Sequence, residues 1–146
     1  MKKFTPTPNS ILAPFSPLVR QLSNDVRAMM QAEVPEAIER AYPGWNAIGF
    51  RDKEAGYFCG LFPQADSVRL IFEFGAFLDD PSKILEGDQA QIRSYSVCKP
   101  ADLKKPALRV MFREAVSYGR KRRKKKRKQP SVAKKSGMKV TKRQRS

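Results

Sequence analysis

The fold is decided by VRLIFEFGAFLDDPSKILEG, residues 68–87. Four apolar side chains recur at every second position in its first part: Val68, Leu70, Phe72 and Phe74. Arg69 and Glu73 fall between them, so the segment predicts a central antiparallel strand with one buried face. We expect the rest of the chain to cover this strand or to pair with it.

A helix is predicted before this strand. Ser16 followed by Pro17 is a typical helix start, because the serine side chain caps the first turn and proline tolerates the first helical position. The apolar residues that follow have helical spacing: Leu18, Leu22, Val26, Met29 and Met30. Residues 1–15 are interpreted as an N-terminal arm that Ile11, Leu12 and Phe15 pin to the domain.

A second helix and two strands are predicted between this helix and the central strand. Pro35 is expected to open a short helix, PEAIERAY, which Pro43 and Gly44 end. Two strands follow at residues 45–51 and 56–62, and together with the central strand they form a meander.

The strand at residues 56–62 alternates between two apolar sides. The alternation predicts two faces, one with Tyr57, Cys59 and Leu61 and the other with Phe58, Gly60 and Phe62. Because both faces are apolar, we expect this strand to lie in the middle of the sheet or to be covered on both sides. Cys59 and Cys98 are interpreted as buried, reduced thiols.

The residues after the central strand predict a structured loop, a strand and a closing helix. Asp79 or Asp80 is expected to cap one turn that Pro81 opens. A strand is predicted at residues 89–98, and Pro106 begins the last helix. The buried face of that helix is predicted to hold Leu108, Met111, Phe112, Ala115 and Val116.

The positive charge is concentrated at the C-terminal end. The chain carries a net charge of +16, but residues 1–119 contain 15 basic residues against 14 acidic ones, whereas residues 120–146 contain 15 basic residues and no acid. We therefore predict three parts: an arm at 1–15, a nearly neutral α+β domain at 16–119 and a disordered Lys/Arg-rich tail at 120–146.

The tail predicts association with a polyanion such as nucleic acid. It opens with nine consecutive cations, RKRRKKKRK, and no aromatic residue follows Tyr118. We therefore expect sequence-independent contacts with the phosphate backbone. A solubilising tail, an acidic membrane surface and a localisation signal are the alternatives. The predicted nucleic-acid-binding residues are Arg120, Lys121, Arg122, Arg123, Lys124, Lys125, Lys126, Arg127, Lys128, Lys134 and Lys135.

The chain contains no histidine. This removes the commonest general base, the histidine-activated nucleophiles and most zinc and iron sites, so we expect a protein that is not an enzyme. No apolar run approaches the roughly 20 residues of a membrane span. Prolines interrupt the segment that a signal peptide would need, and we expect a cytoplasmic location.

Two groups of carboxylates are candidate metal ligands. Glu33, Glu36 and Glu39 recur at a spacing of three around the second predicted helix, and Asp79 and Asp80 lie in the acidic turn. Hard cations bind such carboxylates. Acids are also favoured near helix starts and as caps, so a solvated surface and a capping motif are the alternatives.

Three segments carry a resemblance to a known family: Val34-Pro35-Glu36, LIFEFGAFLDDPSKILEGDQAQIRSY and ADLKKPALRVMFREAV. Together they resemble the YdhG-like domains, a domain of unknown function numbered 1801, over residues 18–118. The resemblance implies an α+β fold similar to frataxin in outline. In such a fold, a small antiparallel sheet of four to five strands carries the N-terminal and C-terminal helices on one face. One branch of the family is linked to iron delivery, which implies iron binding by surface carboxylates.

The function predicted from these observations is that of a non-enzymatic binding domain with a polybasic tail. The tail is expected to associate with nucleic acid without sequence preference, and the domain itself to contact a ligand or protein that the sequence does not identify. The alternative is a frataxin-like intracellular iron chaperone that uses the carboxylates named above.

Overall fold

Five antiparallel strands form one sheet, and their order in space is their order in the chain. This computed structural model describes residues 5–128. The strands are β1 (Ile38–Tyr42), β2 (Ala47–Asp52), β3 (Gly56–Pro63), β4 (Val68–Phe72) and β5 (Arg93–Val97). The helices are α1 (Pro8–Leu12), α2 (Pro17–Glu33) and α3 (Pro106–Lys128). The predicted α+β class with N-terminal and C-terminal helices is therefore confirmed.

The predicted central strand is β4, which pairs with β3 on one side and β5 on the other. Val68, Leu70 and Phe72 are fully buried. The Phe72 ring lies 6.0 Å from the ring of Phe112 in α3, measured between centroids. The alternation in the sequence thus identified the strand face on which the helices pack.

The helices lie on one face of the sheet and enclose the core. Ser16 caps α2 by accepting a hydrogen bond from the Val19 backbone N–H, as the sequence indicated. The buried face of α3 holds all five residues predicted for it: Leu108, Met111, Phe112, Ala115 and Val116. Leu18, by contrast, is exposed. The short helix α1 lies within the predicted arm, and its Ile11 and Leu12 are buried in the same core.

The prediction of a second helix at residues 35–42 was wrong, because Ile38–Tyr42 form the edge strand β1. A turn at Pro43–Trp45 returns the chain into β2, and the two strands pair along their whole length. Asn46 completes this turn in the left-handed region, with φ of 51°. Proline at the head of the segment indicated a helix, but pairing with β2 satisfies the backbone of these residues instead.

The predicted faces of β3 were partly wrong, because a bulge interrupts its pairing with β2. Phe50 lies opposite Cys59 and Arg51 lies opposite Tyr57, which leaves Phe58 as an extra residue. Phe58 and Cys59 are consequently both buried in the core, whereas Tyr57 lies on the other side of the sheet. β3 is nevertheless the middle strand of five, as its apolar character predicted.

Two smaller expectations changed, and a third was confirmed. The strand predicted at residues 89–98 is limited to Arg93–Val97. Cys98 follows it and is exposed, whereas Cys59 is buried as expected. In the acidic turn, Asp80 is the residue that caps, since its carboxylate accepts the backbone N–H groups of Ile84 and Leu85, both at 2.9 Å.

The last helix continues past the predicted domain boundary, and residues 120–128 of the segment predicted as a tail are helical. Residues 129–146 lie outside the described residues. The helix is fastened where it passes the turn between β2 and β3. Asp52, which ends β2 and leads into that turn, is 4% exposed. Its carboxylate accepts hydrogen bonds from Nε and Nη2 of Arg120, at 3.0 and 2.7 Å. Gly119 lies so close to Ala55 that a Cβ on this glycine would be 2.7 Å from the Ala55 Cβ.

We expect Asp52→Asn to destabilise the protein at neutral pH by about 1 to 2 kcal/mol, a range that allows for the partial exposure of Arg120. The guanidinium of Arg120 and the backbone N–H groups of Ala55 and Glu54 lower the pKa of Asp52 to about 2. A lowered pKa stabilises the fold above the ordinary value near 3.8, and this stabilisation is lost as the pH falls towards 2.

Urea unfolding of both proteins between pH 7 and pH 2 measures this contribution. The difference in unfolding free energy should shrink below pH 4. Asp66→Asn, which removes the same charge from an exposed aspartate, is the control and should change little. A difference between wild type and Asp52→Asn that does not vary with pH would contradict the ion pair.

Candidate nucleic-acid interface

The end of α3 carries seven consecutive basic side chains at residues 120–126, which we call the cationic end. Five of them are exposed: Lys121, Arg123, Lys124, Lys125 and Lys126. Cations at a helix C-terminus are favoured by the helix dipole, although neighbouring like charges at a spacing of four repel one another. The cationic end therefore presents a dense positive charge to solvent.

Two of the predicted binding residues contact the domain instead. Arg120 forms the ion pair with Asp52, and the guanidinium carbon of Arg122 lies 4.6 Å from the ring centroid of Phe74. Next to it, Tyr118 stacks on Phe77 with 5.8 Å between ring centroids. These contacts fix the direction in which the five exposed cations project.

The remaining predicted binding residues are only partly described. Arg127 and Lys128 are helical, but their side chains lie outside the described part of the chain, as do Lys134 and Lys135 altogether. Between described residues, the only ion pairs made by the cationic end are those of Arg120, with Asp52 and Glu54. The five exposed cations have no acidic partner within that part of the chain.

The structure places two of the predicted metal ligands, Glu33 and Glu36, in one surface pocket together with Arg113 and Arg120, but the other three lie elsewhere. Glu33 ends α2, Glu36 lies in the following turn and Glu39 lies in β1, so the helical spacing that suggested a cluster does not exist. Asp79 and Asp80 belong to the loop after β4. Among residues 5–128, no group of three or more acidic or cysteine side chains is placed to hold a metal ion.

Two of these carboxylates are already paired with arginine. Both oxygens of Glu39 accept from the guanidinium of Arg27, each at 2.8 Å. Glu33 forms an ion pair with Arg113, and a second with Arg109 at 3.5 Å. Guanidinium groups in these positions neutralise the charge that would attract a cation.

A second candidate surface, which the sequence did not predict, lies on the sheet face opposite the helices. It is a groove of about 570 Å³ that we call the aromatic groove. Its apolar lining consists of Tyr42, Trp45, Tyr57, Phe62, Ile71 and Ile92. Arg51 and Glu73 supply the charged groups of the lining.

The rings of the groove are arranged around two glycines. Trp45 is 62% exposed and stacks on Tyr42, with 5.5 Å between centroids and 23° between planes. Tyr57 meets Tyr42 edge-on at 6.1 Å. A Cβ at Gly49 would overlap Tyr42 and lie 2.8 Å from Tyr57 Cε1, and one at Gly60 would overlap the Tyr57 hydroxyl. Because glycine has no side chain, the rings can pack directly on the backbone of β2 and β3 at these two positions.

Tyr57 contributes an uncharged phenol to the lining of the groove. Burial raises the pKa of Tyr57, and the nearby Cys59 thiol, Glu73 carboxylate and Tyr42 phenol add to this effect. The phenol therefore stays neutral at physiological pH. An uncharged phenol and three further rings are suited to contact a planar or apolar group.

One sequence signal pointed towards this groove. Residues 56–62 are apolar on both sides, although only one side of the sheet faces the helices. The bulge opposite Arg51 prevented the sequence from identifying which aromatic residues lie on the outer side, and β1, which supplies Tyr42, was expected to be a helix.

No helix within residues 5–128 combines the length and the apolar character required to cross a bilayer. Comparison with known proteins gave no match to any family model, curated protein or solved structure. The resemblance to YdhG-like domains therefore stays a prediction.

We expect Gly49→Ala to displace the rings of Tyr42 and Tyr57 and to destabilise the protein by about 1 to 3 kcal/mol, as overpacking does. Gly44→Ala is the matched control, since nothing lies within 4 Å of a Cβ at that position. It should change stability by no more than about 0.5 kcal/mol. Urea unfolding and near-ultraviolet circular dichroism measure both effects. Equal behaviour of the two variants would contradict the described packing of the groove.

Proposed function

We propose that this protein is a non-enzymatic binding domain that associates with nucleic acid without sequence preference, through phosphate contacts made by the cationic end of α3 and the basic residues that follow it. The observation that carries the proposal is the set of five exposed basic side chains on a helix end whose orientation is fixed by Arg120 and Asp52. Other observations support it as follows.

Charge density supports a polyanion as the partner. A helix rises about 1.5 Å per residue, so consecutive basic residues supply about one cation per 1.5 Å of axis. Duplex DNA carries about one phosphate charge per 1.7 Å of its axis. Only the side of the helix that faces the nucleic acid makes contacts at one time, but the two densities are of the same order. Each phosphate that is neutralised releases a condensed counterion, which favours binding at low salt.

The absence of sequence preference follows from the residue types. Lysine and arginine contact phosphates, which carry no sequence information, and although both can also bind guanine, an uninterrupted run of them does not select one sequence. Within the cationic end there is no asparagine, glutamine or acidic residue that could pair with a particular base. Unrelated sequences should therefore bind with similar affinity.

The iron-chaperone alternative stays a prediction, and no arrangement of the described carboxylates favours it. It requires saturable binding of ferrous ion that Glu36→Ala or Asp80→Ala weakens. Titration of the full-length protein under anaerobic conditions tests this requirement. Binding that neither substitution changes would contradict a role for these carboxylates.

The proposed function predicts that Lys124→Gln combined with Lys125→Gln weakens binding to duplex DNA and reduces its salt dependence. Each lost phosphate contact should lower the slope of log affinity against log salt by about 0.9. The slope of the double variant should therefore fall by up to about 1.8. Fluorescence anisotropy of a labelled duplex at several salt concentrations measures both quantities.

Lys104→Gln combined with Lys105→Gln is the matched control. These two lysines are also exposed, but they lie just before the first turn of α3, about 30 Å from Lys124 and Lys125 along the helix. The control removes the same charge and should leave the slope unchanged, because it lies beyond the screening distance of about 10 Å. If both double variants lower the slope equally, the cationic end is not the binding surface.

A further inference from the structure

One end of the aromatic groove lies beside the turn between β2 and β3, to which the cationic end is fastened. Trp45 lies at the other end of the groove, in the turn between β1 and β2, so a bound strand would have to run along β2 to reach it. Arg51 and Tyr57, which both line the groove, pair with each other beside the turn between β2 and β3. The same turn holds Arg120 through Asp52. The guanidinium of Arg123 lies beside Gly56, with Nη1 3.1 Å from the position of a Cβ on that glycine. A chain-like ligand could therefore contact both surfaces without crossing a wide gap.

We propose that the aromatic groove binds the unpaired bases of a single-stranded nucleic acid while the cationic end of α3 contacts its phosphates. This inference rests on the proposed function and deepens it, because it names the form of nucleic acid that is preferred. Open antiparallel sheets with exposed aromatic rings are a recurrent platform for unpaired bases.

The shape and lining of the groove fit planar rings. Its volume of about 570 Å³ is in the range of sites for small molecules, and its lining is predominantly aromatic and aliphatic. Trp45 presents 62% of its surface to solvent, and its indole is the largest ring in the lining. Every base has a π-face, so stacking on such rings tolerates any sequence. This agrees with the sequence independence expected of the cationic end.

Charge complementarity favours a polyanion over an apolar peptide. Arg51 lines the groove, and two further arginines lie on the same face of the sheet. Arg40 pairs with Gly49, over which the groove rings pack, and Arg69 pairs with Phe62 of the lining. Glu73 is the one acid among the described lining residues, and it accepts a hydrogen bond from Gln91 Nε2 at 3.1 Å. The rim is therefore net cationic.

The geometry distinguishes single strands from duplexes. In a duplex both faces of each base are covered by neighbouring base pairs, so a duplex can use only the cationic end. An unpaired strand can add stacking to the same phosphate contacts. Single strands should therefore bind more tightly than duplexes with the same number of phosphates, and the excess should depend only weakly on salt.

The fluorescence of Trp45 reports occupancy of the groove directly, because Trp45 is the only tryptophan in the chain. The probes are oligodeoxythymidylate, oligouridylate and a mixed-sequence duplex with an equal number of phosphates. Binding of the full-length protein is followed by anisotropy of the labelled nucleic acid, and occupancy of the groove by tryptophan fluorescence. We expect saturating single strands to quench Trp45 and the duplex to leave it nearly unchanged. Comparison of the first two probes shows whether the 2′-hydroxyl contributes.

Three variants test whether stacking on Trp45 accounts for the affinity for single strands. Trp45→Ala should weaken single-strand binding by about 5-fold to 100-fold, the effect of losing one stacked base, and should leave duplex binding unchanged. Trp45→Phe keeps a ring and should restore much of the affinity. Leu18→Ala is the control, since Leu18 is also a large exposed apolar residue, at 45%, but lies in α2, outside the groove and the cationic end. It should bind both nucleic acids as the wild type does.

The outcomes are distinguishable. If single strands bind but neither quench Trp45 nor depend on it, the groove inference is overturned and the proposed function stands; a protein partner is then the better occupant. Equal losses in Trp45→Ala and Leu18→Ala also overturn the inference. If neither single strands nor duplexes bind, both the proposed function and the inference are wrong.

Discussion

The ion pair between Asp52 and Arg120 determines where this protein presents its positive charge. A carboxylate as buried as that of Asp52 is costly unless its oxygens are paired. Two guanidinium N–H groups and the backbone N–H groups of Glu54 and Ala55 supply those partners. Because Arg120 must reach this turn, α3 has to remain helical at least that far, and Gly119 lets it approach Ala55 closely. The basic residues that follow are then directed by the body of the protein.

The sheet packs one face under the helices and carries the aromatic groove on the other. Phe50, Phe58 and Phe72 are fully buried under the helices, whereas Tyr42 and Tyr57 lie on the opposite face with Trp45. The bulge between β2 and β3 makes this division possible, since it turns both Phe58 and Cys59 towards the core and leaves Tyr57 outside. The aromatic content of one strand therefore serves two surfaces.

Elements with a clear period could be predicted from the sequence, and elements whose conformation depends on a neighbour could not. The alternation in β4 and the helical spacing in α2 and α3 arise because each element buries one face. Such a pattern is visible in the sequence of the element alone. Residues 38–42 carry no such pattern, because β1 is an edge strand whose exposed side includes Ile38. The tail boundary was placed too early because a charged residue such as Arg120 is expected to be solvated. Only the folded structure shows that Asp52 is its partner. The groove was missed for a similar reason, since pairing register and the turn at Trp45 bring its rings together.

Under the proposed function, the two surfaces would contribute binding free energy of different kinds. Contacts between lysine or arginine and phosphate weaken steeply as salt rises and accept any polyanion. Stacking on Trp45 or Tyr57 depends little on salt and requires an accessible planar group. A body with nearly balanced charge over residues 1–119 adds no long-range attraction of its own. Discrimination between polyanions would therefore come from the aromatic groove, and the cationic end, held in place by Asp52, would supply most of the attraction that brings a strand within its reach.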